Sequence, residues 1–280
     1  MDSKTINKLN KLACQIRMSI VESIYYAKSG HPGGSLSSAD LLAYLYSEEL
    51  NINPKNPKDP NRDRFVLSKG HAAPALYATL AKLGFFDMED LKTLRKLGSH
   101  LQGHPNMNST PGIDMTTGSL GQGISAACGM ALGLKLDKSK SRVYCLLGDG
   151  EIEEGQVWEA CMFASHYKLD NLCLFIDNNN LQIDGTVEEV AGLIDIPKKF
   201  AAFGFEVFEI NGHDFFEIES VIQNAKQIKE KPSAVIMKTN KGKCVSFMQD
   251  NISWHGSAPN SDQFYAAQKE LIVILSGLED

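Results

Sequence analysis

The sequence predicts an α/β fold in which a doubly wound, mainly parallel sheet is flanked by helices. Short apolar runs alternate with helical patterns from residue 142 to residue 238, which is the order of elements in such a sheet. Most residues of these runs are apolar, as in strands that are buried on both faces. A chain of 280 residues, 43% of them apolar, can bury roughly 75% of the surface that it exposes when unfolded. No linker or internal repeat interrupts the pattern, and we expect residues 1–280 to form a single domain.

The first part of the chain predicts a helix, a glycine-rich loop, a second helix and a short strand. Apolar residues recur at helical spacing over residues 6–27, and the run Lys28–Gly34 breaks the pattern. Ser37 can start a second helix, which runs to about Glu49. A polar connection then leads to Arg64–Leu67, whose apolar character predicts a short buried strand.

A long irregular segment lies in the middle of the chain. Helices are predicted over residues 72–83 and 88–96, and regularity then stops between Gly98 and Gly118, where Gly and Pro recur without a hydrophobic period. Loops of this length inside a compact domain are usually functional or disordered. A small-residue helix follows over residues 119–136. Four further apolar runs predict buried parallel strands: Val143–Leu147, Leu172–Asp177, Phe205–Ile210 and Ala234–Lys238.

Charge and composition exclude several classes of protein. The formal net charge of −6 and the pI near 5.7 provide no basic surface for a phosphate backbone, so we expect no nucleic acid partner. The N-terminus has no basic segment leading into an apolar core, and no apolar run approaches the length of a membrane span. We therefore expect no membrane association and a cytoplasmic location.

The six cysteines predict reduced thiols in the core. They never occur at CxxC spacing, and most lie within apolar helical or strand patterns. Free cysteines in such positions behave as small hydrophobic residues. The six are Cys14, Cys128, Cys145, Cys161, Cys173 and Cys244.

The most informative segment joins two predicted strands that both end in oxygen-bearing residues. Gly148-Asp149-Gly150 follows the first strand, and Asn178-Asn179 follows the second after 27 intervening residues. Ligands of an open parallel sheet bind beyond the carboxyl ends of its strands, so Asp149 and Asn179 are expected to face one crevice. A carboxylate and a carboxamide suit Mg²⁺, whose remaining positions are filled by phosphate oxygens and water. The flanking glycines allow backbone N–H groups to approach a diphosphate.

Each piece alone is also explained as a turn or as a loop that ends a strand. Together, and each after an apolar strand, they resemble the thiamine diphosphate signature, in which Asn-Asn follows Gly-Asp-Gly about 30 residues later. The resemblance implies that Asp149 and Asn179 bind the metal through their side chains and Leu181 through its backbone carbonyl. It places Gly148 and Gly150 beside the diphosphate. The implied cofactors are thiamine diphosphate and Mg²⁺, for which Ca²⁺ or Mn²⁺ can substitute.

Further motifs narrow the resemblance to the transketolase family, because they recur in that family's order along almost the whole chain. The resemblance implies transfer of a two-carbon ketol unit from a ketose phosphate, such as xylulose 5-phosphate, to an aldose phosphate, such as ribose 5-phosphate. Sugar phosphates are therefore the expected substrates. The motifs are Ser29-Gly30-His31-Pro32-Gly33-Gly34, Asp63-Arg64-Phe65-Val66-Leu67-Ser68-Lys69-Gly70-His71, Gly103-His104-Pro105, Thr116-Thr117-Gly118-Ser119-Leu120-Gly121-Gln122-Gly123, Lys241-Gly242-Lys243 and Trp254-His255-Gly256.

Four histidines of these motifs receive roles from the resemblance. Histidine suits this chemistry because it can donate to and accept from sugar hydroxyls near neutral pH and take part in their proton transfers. His31 and His104 are expected to contact the reacting end of the sugar, and His71 to lie beside the cofactor near its diphosphate. His255 is expected to serve both diphosphate and substrate. The loop residues expected to border the cofactor are Gly118, Ser119 and Leu120.

Three glutamates after Gly150 have two interpretations. Glu151, Glu153 and Glu154 fit the acidic first turn of a helix, where they favour the positive end of its dipole. That explanation accounts for Glu151 and Glu153. Glu154 stands where related enzymes have a glutamate that links two active sites across a dimer, so the resemblance gives it a role in communication.

The resemblance covers the diphosphate-binding part of a transketolase, so the pyrimidine-binding and C-terminal domains are expected on a separate chain. We expect an N-terminal subunit of a split enzyme, which forms a two-fold symmetric heterotetramer with a C-terminal subunit. In the family, that second half supplies the glutamate that hydrogen-bonds the aminopyrimidine ring. Three alternatives stay open: a fragment of a longer chain, a subunit of a related ketol-transferring or 1-deoxyxylulose-phosphate-forming enzyme, and a non-catalytic cofactor-binding or regulatory subunit.

Overall fold

The computed structural model describes residues 1–183, 185–192 and 195–278, and a parallel sheet lies at its centre. Its strands are β1 (Arg64–Leu67), β2 (Val143–Gly148), β3 (Leu172–Asn178), β4 (Glu206–Asn211) and β5 (Ser233–Lys238). They pair in the order β1-β2-β3-β5-β4, and every pairing is parallel. Parallel strands bring all their carboxyl ends to one edge of the sheet.

Helices connect these strands. Among the described residues, no helix has both the length and the apolar character needed to cross a membrane. The helices are α1 (Ser3–Ala27), α2 (Pro32–Ser37), α3 (Ala39–Tyr44), α4 (Ala73–Lys82), α5 (Gln122–Leu136), α6 (Gly155–His166), α7 (Val187–Val190), α8 (Ile196–Ala202), α9 (Phe215–Gln227) and α10 (Ser261–Ser276). Shorter 3₁₀ or π-helical segments are Leu45–Glu49, Gly70–Ala72, Met88–Thr93, Gly150–Glu153 and Ile252–Trp254.

Each face of the sheet is covered by its own apolar core. Successive side chains of a strand point to opposite faces, so Tyr144 and Leu146 of β2 enter one core while Cys145 and Leu147 enter the other. Helices α1, α3, α4, α9 and α10 contribute to the first core, and α5, α6 and α8 contribute to the second. Because both faces are buried, β2 is apolar at nearly every position.

The α/β class and the doubly wound parallel sheet are confirmed, but in the strand predicted over Phe205–Ile210 only Phe205 and Ile210 are buried. The corresponding strand, β4, pairs with β5 on one side and lies at the edge of the sheet. Phe208 is only half-buried and Glu209 is exposed. An edge strand has less of its surface covered by helices, which is why charged residues alternate with apolar ones here.

Three further boundaries differ from the prediction. The loop predicted over Lys28–Gly34 is shorter, because Pro32 has the fixed φ that suits a first helical turn and α2 begins there. Helix α5 starts after Gly121, whose φ of 78° is incompatible with a right-handed helix. The predicted helix over residues 88–96 is a 3₁₀ segment that ends at Thr93, shortly before Arg95 adopts a left-handed φ of 60°.

The prediction of core thiols is confirmed for five cysteines, which are buried, whereas Cys244 is half-buried. Burial raises the pKa of Cys14 to about 11 and those of Cys128 and Cys173 to about 12. These thiols are therefore protonated near neutral pH and packed as small apolar side chains.

Candidate functional site

The carboxyl edge of the sheet opens into a cavity of about 240 Å³. Its walls come from the segments that follow the strands, as expected for ligand sites of parallel sheets. Two loops distant in sequence complete it, the one that contains His31 and the one that contains His255. The predicted site residues that line this cavity are His31, His71, Gly118, Leu120, Gly148, Asp149, Gly150, Asn179, Leu181 and His255.

Asp149 supplies a buried carboxylate to the predicted metal site. It is 3% exposed, and its two oxygens accept the N–H groups of Gly150 at 2.9 Å and Asn180 at 2.6 Å. Burial, followed by the neighbouring negative charge of Asp177, raises the pKa of Asp149 to about 6. A nearby cation would favour the ionised carboxylate, so this position suits a positively charged ligand.

The turn after β3 carries the two other predicted metal ligands. Asn180 has a left-handed φ of 61°, which Asn tolerates better than most residues, and the chain reverses there. The Asn179 side-chain oxygen accepts the N–H of Leu181 at 3.2 Å, and the Leu181 carbonyl accepts a hydrogen bond from Lys241 Nζ at 2.6 Å. Because Asn180 donates to Asp149, this turn is joined to the Gly-Asp-Gly segment, as predicted.

This donor set fits a divalent cation together with a diphosphate. A carboxylate, a carboxamide and a backbone carbonyl are hard oxygen ligands of the kind that Mg²⁺ and Ca²⁺ bind. The ammonium groups of Lys69 and Lys241 belong to side chains at most 3% exposed, line the same cavity and complement phosphate charge. Burial lowers the pKa of Lys241 to about 8. An added Cβ at Gly150 would lie 3.1 Å from the Gln182 side chain, so glycine avoids a tight contact there.

A buried ion pair supports the turn that carries Asn179. Lys69 Nζ donates to the Asp177 carboxylate and, at 2.9 Å, to the Gly34 carbonyl. Asp177 also accepts from the Ser37 hydroxyl at 2.6 Å and from the Asn179 amide at 3.2 Å. Burial alone would raise the pKa of Asp177, but Lys69 and the hydroxyl donors hold that pKa below its ordinary value. The pair therefore holds Asn179 in place at the cavity wall.

We expect Lys69→Met to lower the free energy of unfolding by about 3–5 kcal/mol, because it leaves the Asp177 carboxylate buried without its cation. Lys168→Met is the matched control, since it breaks an exposed pair with Glu230 and should cost at most about 1 kcal/mol. Urea denaturation of the chain measures both values. Equal losses in the two variants would contradict the role assigned to the buried pair.

Glu151 and Glu153 lie in the first turn of a short 3₁₀ helix, as predicted, but that position alone does not account for the burial and the contacts of Glu151. Helix α6 begins only at Gly155, and Glu151 lies in the preceding 3₁₀ segment with 3% of its surface exposed. Its carboxylate accepts from the Ser68 hydroxyl at 2.5 Å and from the N–H groups of Gly121 and Gly148, each at 3.0 Å. Glu151 therefore joins three segments that surround the cavity.

Three histidines meet at the cavity. The ring centroids of His31, His71 and His255 lie 5.2–5.3 Å apart. Burial, followed by neighbouring positive charges, lowers the pKa of His31 and His255 to about 4 and the pKa of His71 well below its ordinary value. Each ring is therefore neutral at pH 7 and can donate from one nitrogen and accept at the other. Within the described part of the chain, the buried Nδ1 of His31 has no hydrogen-bond partner, which leaves it available to a ligand.

His104, Ser119 and Glu154 do not line the cavity. His104 is exposed but packs beside Gly118, where an added Cβ would lie 3.0 Å from its Cγ. Since Gly118 borders the cavity, His104 lies next to the cavity wall. Ser119 and Glu154 are both exposed. Their roles in cofactor binding and in communication stay predictions.

Comparison with known families identifies the fold. The model of the family "Transketolase, thiamine diphosphate binding domain" matches residues 8–273. The chain belongs to the transketolase family. The resemblance inferred from the motifs is therefore confirmed, and thiamine diphosphate is the cofactor of the matching domain.

Relatives within the transketolase family fall into two groups by length. One group includes the "6-deoxy-6-sulfo-D-fructose transketolase subunit SqwG" of Clostridium sp. (strain MSTE9), which is 47% identical over 91% of this chain and 93% of its own length. It also includes a subunit of the apulose-4-phosphate transketolase of Phocaeicola vulgatus, 43% identical over 94% of this chain and 93% of its own length. Human transketolase represents the other group, because the match, 43% identical over 91% of this chain, spans only 40% of that protein.

Solved transketolase structures have the same architecture. The transketolase of Campylobacter jejuni aligns with a TM-score of 0.90 and 37% identity, over 97% of this chain and 43% of that chain. A transketolase variant from Pichia stipitis aligns with a TM-score of 0.89 and 36% identity, over 94% of this chain and 40% of that one. The parallel sheet with helices on both faces is thus the transketolase diphosphate-binding fold.

Sequence reasoning missed three charged residues of this transketolase site, namely Lys69, Asp177 and Glu151. A usable signal existed for the first two, because each charged residue directly follows or ends an apolar strand and would be buried there. Lysine and aspartate are almost never fully buried unless they are paired. A charged residue at the end of a buried strand, with no opposite charge nearby in the sequence, therefore indicates an ion-pair partner from a distant part of the chain.

Proposed function

We propose that this chain is the diphosphate-binding N-terminal subunit of a split transketolase. With a C-terminal partner subunit, the enzyme transfers a two-carbon ketol unit from a ketose phosphate to an aldose phosphate, using thiamine diphosphate and Mg²⁺. The observation that carries the proposal is one cavity that combines the Asp149 oxygen site, two buried ammonium groups and three neutral histidines. The proposal includes the two-fold heterotetramer and the cytoplasmic location expected from the sequence.

In this proposal, the carboxyl edge of the sheet holds the charged end of the cofactor. Asp149, Asn179 and the Leu181 carbonyl bind the metal, and Lys69 and Lys241 offset the negative charge of the diphosphate. Thiamine diphosphate, when bound, supplies a carbon nucleophile that protein side chains lack. Asp149, Lys69 and Lys241 are buried, and ionic contacts are stronger in such surroundings than in water.

The histidines act on the sugar. His31 and His255 are neutral at pH 7 and lie at the cavity, so they can bind sugar hydroxyls as donors or acceptors. They can also hold or move a proton at a hydroxyl oxygen. Lys241 Nζ lies 3.0 Å from His255 Nδ1, so this nitrogen accepts and the proton resides on Nε2. His104, beside the wall at Gly118, would contact the donor sugar from the outer side.

The physiological donor has two candidates. Xylulose 5-phosphate with ribose 5-phosphate as acceptor is the pair implied by the resemblance to the family. The two subunit-length relatives are named for a sulfofructose and for apulose 4-phosphate. Their names favour a second candidate, in which the donor is a ketose with an altered skeleton or terminal anionic group.

A donor panel tests the proposal with the complex that co-purifies with the tagged chain, after its subunits are identified by mass spectrometry. Xylulose 5-phosphate, apulose 4-phosphate and 6-deoxy-6-sulfofructose are each offered with ribose 5-phosphate, and pyruvate is offered with glyceraldehyde 3-phosphate. We expect one or more ketoses to be consumed with release of a carbonyl compound two carbons shorter, because the cavity carries polar contacts for sugar hydroxyls.

Each other outcome selects an alternative. Consumption of pyruvate alone would favour a 1-deoxyxylulose-phosphate-forming enzyme and overturn ketol transfer. Cofactor binding without turnover of any donor would favour a regulatory subunit. Consumption of apulose 4-phosphate or the sulfofructose, but not of xylulose 5-phosphate, would retain ketol transfer and select the second donor candidate.

A further inference from the structure

Arg95 lies between the two loops that carry the substrate-side histidines. Its Nη1 donates to the Ser29 hydroxyl at 3.1 Å, two residues before His31. Its guanidinium also lies beside Gly103, one residue before His104, where an added Cβ would lie 3.1 Å from Arg95 Cζ. One side chain thus contacts both loops.

The backbone of Arg95 is held in an unusual conformation. Its φ of 60° is left-handed, which few residues other than Gly and Asn adopt without strain. The N–H of Arg95 donates to the Leu101 carbonyl at 2.8 Å, which closes the segment between them. Strained backbone persists where the surrounding structure fixes it, and such positions cluster at functional sites.

A second side chain holds the His104 loop from the other direction. The Tyr77 hydroxyl lies 3.0 Å from the carbonyl oxygens of both Gln102 and His104. The His104 loop is therefore tied to helix α4 through Tyr77, and to the His31 loop through Arg95. Removal of the guanidinium would break the contact between the His104 and His31 loops and leave the hydrogen bonds of Tyr77 intact.

We propose that Arg95 is a positioning residue that fixes the loops of His31 and His104 relative to one another. The guanidinium suits this task because it is planar, always charged and able to donate in two directions at once. Its Nε is buried and has no hydrogen-bond partner within the described residues. The guanidinium contacts Ser29 and Gly103. The proposal rests on the proposed function only in assigning the two histidines to the sugar.

The charge of Arg95 adds an electrostatic effect that can be measured. Burial, followed by Arg95, lowers the pKa of His104, and Arg95 is also the leading charge, after burial, that lowers the pKa of His31. The other charged or titratable groups that face His31 are His104, Lys241, His71 and His255. Loss of the guanidinium should therefore raise the pKa of both imidazoles.

The test compares Arg95→Met, Arg95→Lys and the control Arg142→Met in the full chain labelled with ¹³C-histidine. Arg142 is a matched control because, like Arg95, it is half-buried and has an Nε without a hydrogen-bond partner within the described residues. Its guanidinium donates to the Asp170 carbonyl, away from the histidines. We expect Arg95→Met to shift the ring signals of His31 and His104 and to raise the pKa of His104. Arg95→Lys keeps the positive charge but loses the planar guanidinium. It should therefore retain the lowered pKa of His104, whereas the ring signals of His31 and His104 should still shift.

Ser29→Ala is a second variant that removes only the contact with the His31 loop, and it should shift the signal of His31. Unchanged signals of both histidines in Arg95→Met and in Ser29→Ala would overturn the inference. In the assembled complex, Arg95→Met should raise KM for the donor sugar by about tenfold and leave cofactor affinity within about twofold. If the signals move while KM does not, Arg95 still positions the loops, and the assignment of the histidines to the sugar fails.

Discussion

Asp149→Ala is expected to abolish metal-dependent binding of thiamine diphosphate, with a loss of affinity of at least about 100-fold. The change removes the only charged oxygen among the three predicted metal ligands, and neither the Asn179 amide nor the Leu181 carbonyl replaces its charge. The fold should persist, because the lost hydrogen bonds with Gly150 and Asn180 cost about 1–3 kcal/mol. Calorimetric titration of the chain or the complex with cofactor and Mg²⁺ measures the affinity.

Two variants separate ligand loss from general damage. Asp149→Asn keeps the shape and an acceptor oxygen but removes the charge, so it should lose most of the affinity as well. Asp170→Ala removes an aspartate that precedes β3 at the opposite edge of the sheet, where its carboxylate accepts from Lys135 and from the Glu230 N–H. It should leave cofactor affinity unchanged. An Asp149→Ala chain that binds cofactor with the original metal dependence would show that the metal lies elsewhere.

The same carboxylate predicts a pH dependence. Because burial raises the pKa of Asp149 to about 6, a proton competes with the metal below that pH. Metal affinity should therefore rise as pH increases through about 6 and level off above it. In Asp149→Asn this dependence should disappear.

The parts of the fold that were predicted correctly are those with a strong local signal. Strand β1 has the predicted bounds, and β2, β3 and β5 differ from theirs by one residue at an end. Strands buried on both faces are apolar at successive positions, so they stand out from helices and loops. The position of Asp149 and Asn179 at one cavity could be predicted from a single rule of topology, namely that ligands bind at the carboxyl ends of parallel strands.

The errors concern properties that depend on distant residues. Lys69 and Asp177 are 108 positions apart, so nothing near either residue shows that both are buried. The burial of Glu151 depends likewise on Ser68 and Gly121. Whether a strand is central or at an edge depends on the order of pairing, which the local pattern of β4 leaves open.

The carboxylates that line the cavity bear on the proposal of a partner subunit. Within the described residues, the carboxylates that line it are Asp149, Glu151 and Asp177. Glu151 accepts three hydrogen bonds and Asp177 is paired with Lys69, while Asp149 is assigned to the metal. None is available as the carboxylate that, by resemblance to the family, hydrogen-bonds the aminopyrimidine ring of the cofactor.

The size of the cavity supports the same conclusion. Small-molecule and cofactor sites usually measure about 300–1,000 Å³, so a cavity of about 240 Å³ lies below that range, as expected if a partner subunit completes the site. Apolar side chains on α6 are exposed as well, with Met162 at 56% and Phe163 at 37%, and the ring of the nearby Tyr167 lies 4.5 Å from that of Phe163. Such surfaces are typical of permanent interfaces between subunits.

We therefore expect the purified chain alone to catalyse ketol transfer at least about 100-fold more slowly than the complex with its C-terminal partner, since a correctly placed acid or base contributes that much. Activity is measured with thiamine diphosphate, Mg²⁺, xylulose 5-phosphate and ribose 5-phosphate, or with the donor that the panel selects. Addition of the partner to the pure chain should restore turnover, whereas its addition to Asp149→Ala should not, because the proposed metal ligands all belong to this chain. Turnover by the pure chain at the rate of the complex would refute the split enzyme, since it would require this chain to provide every group that activates the cofactor.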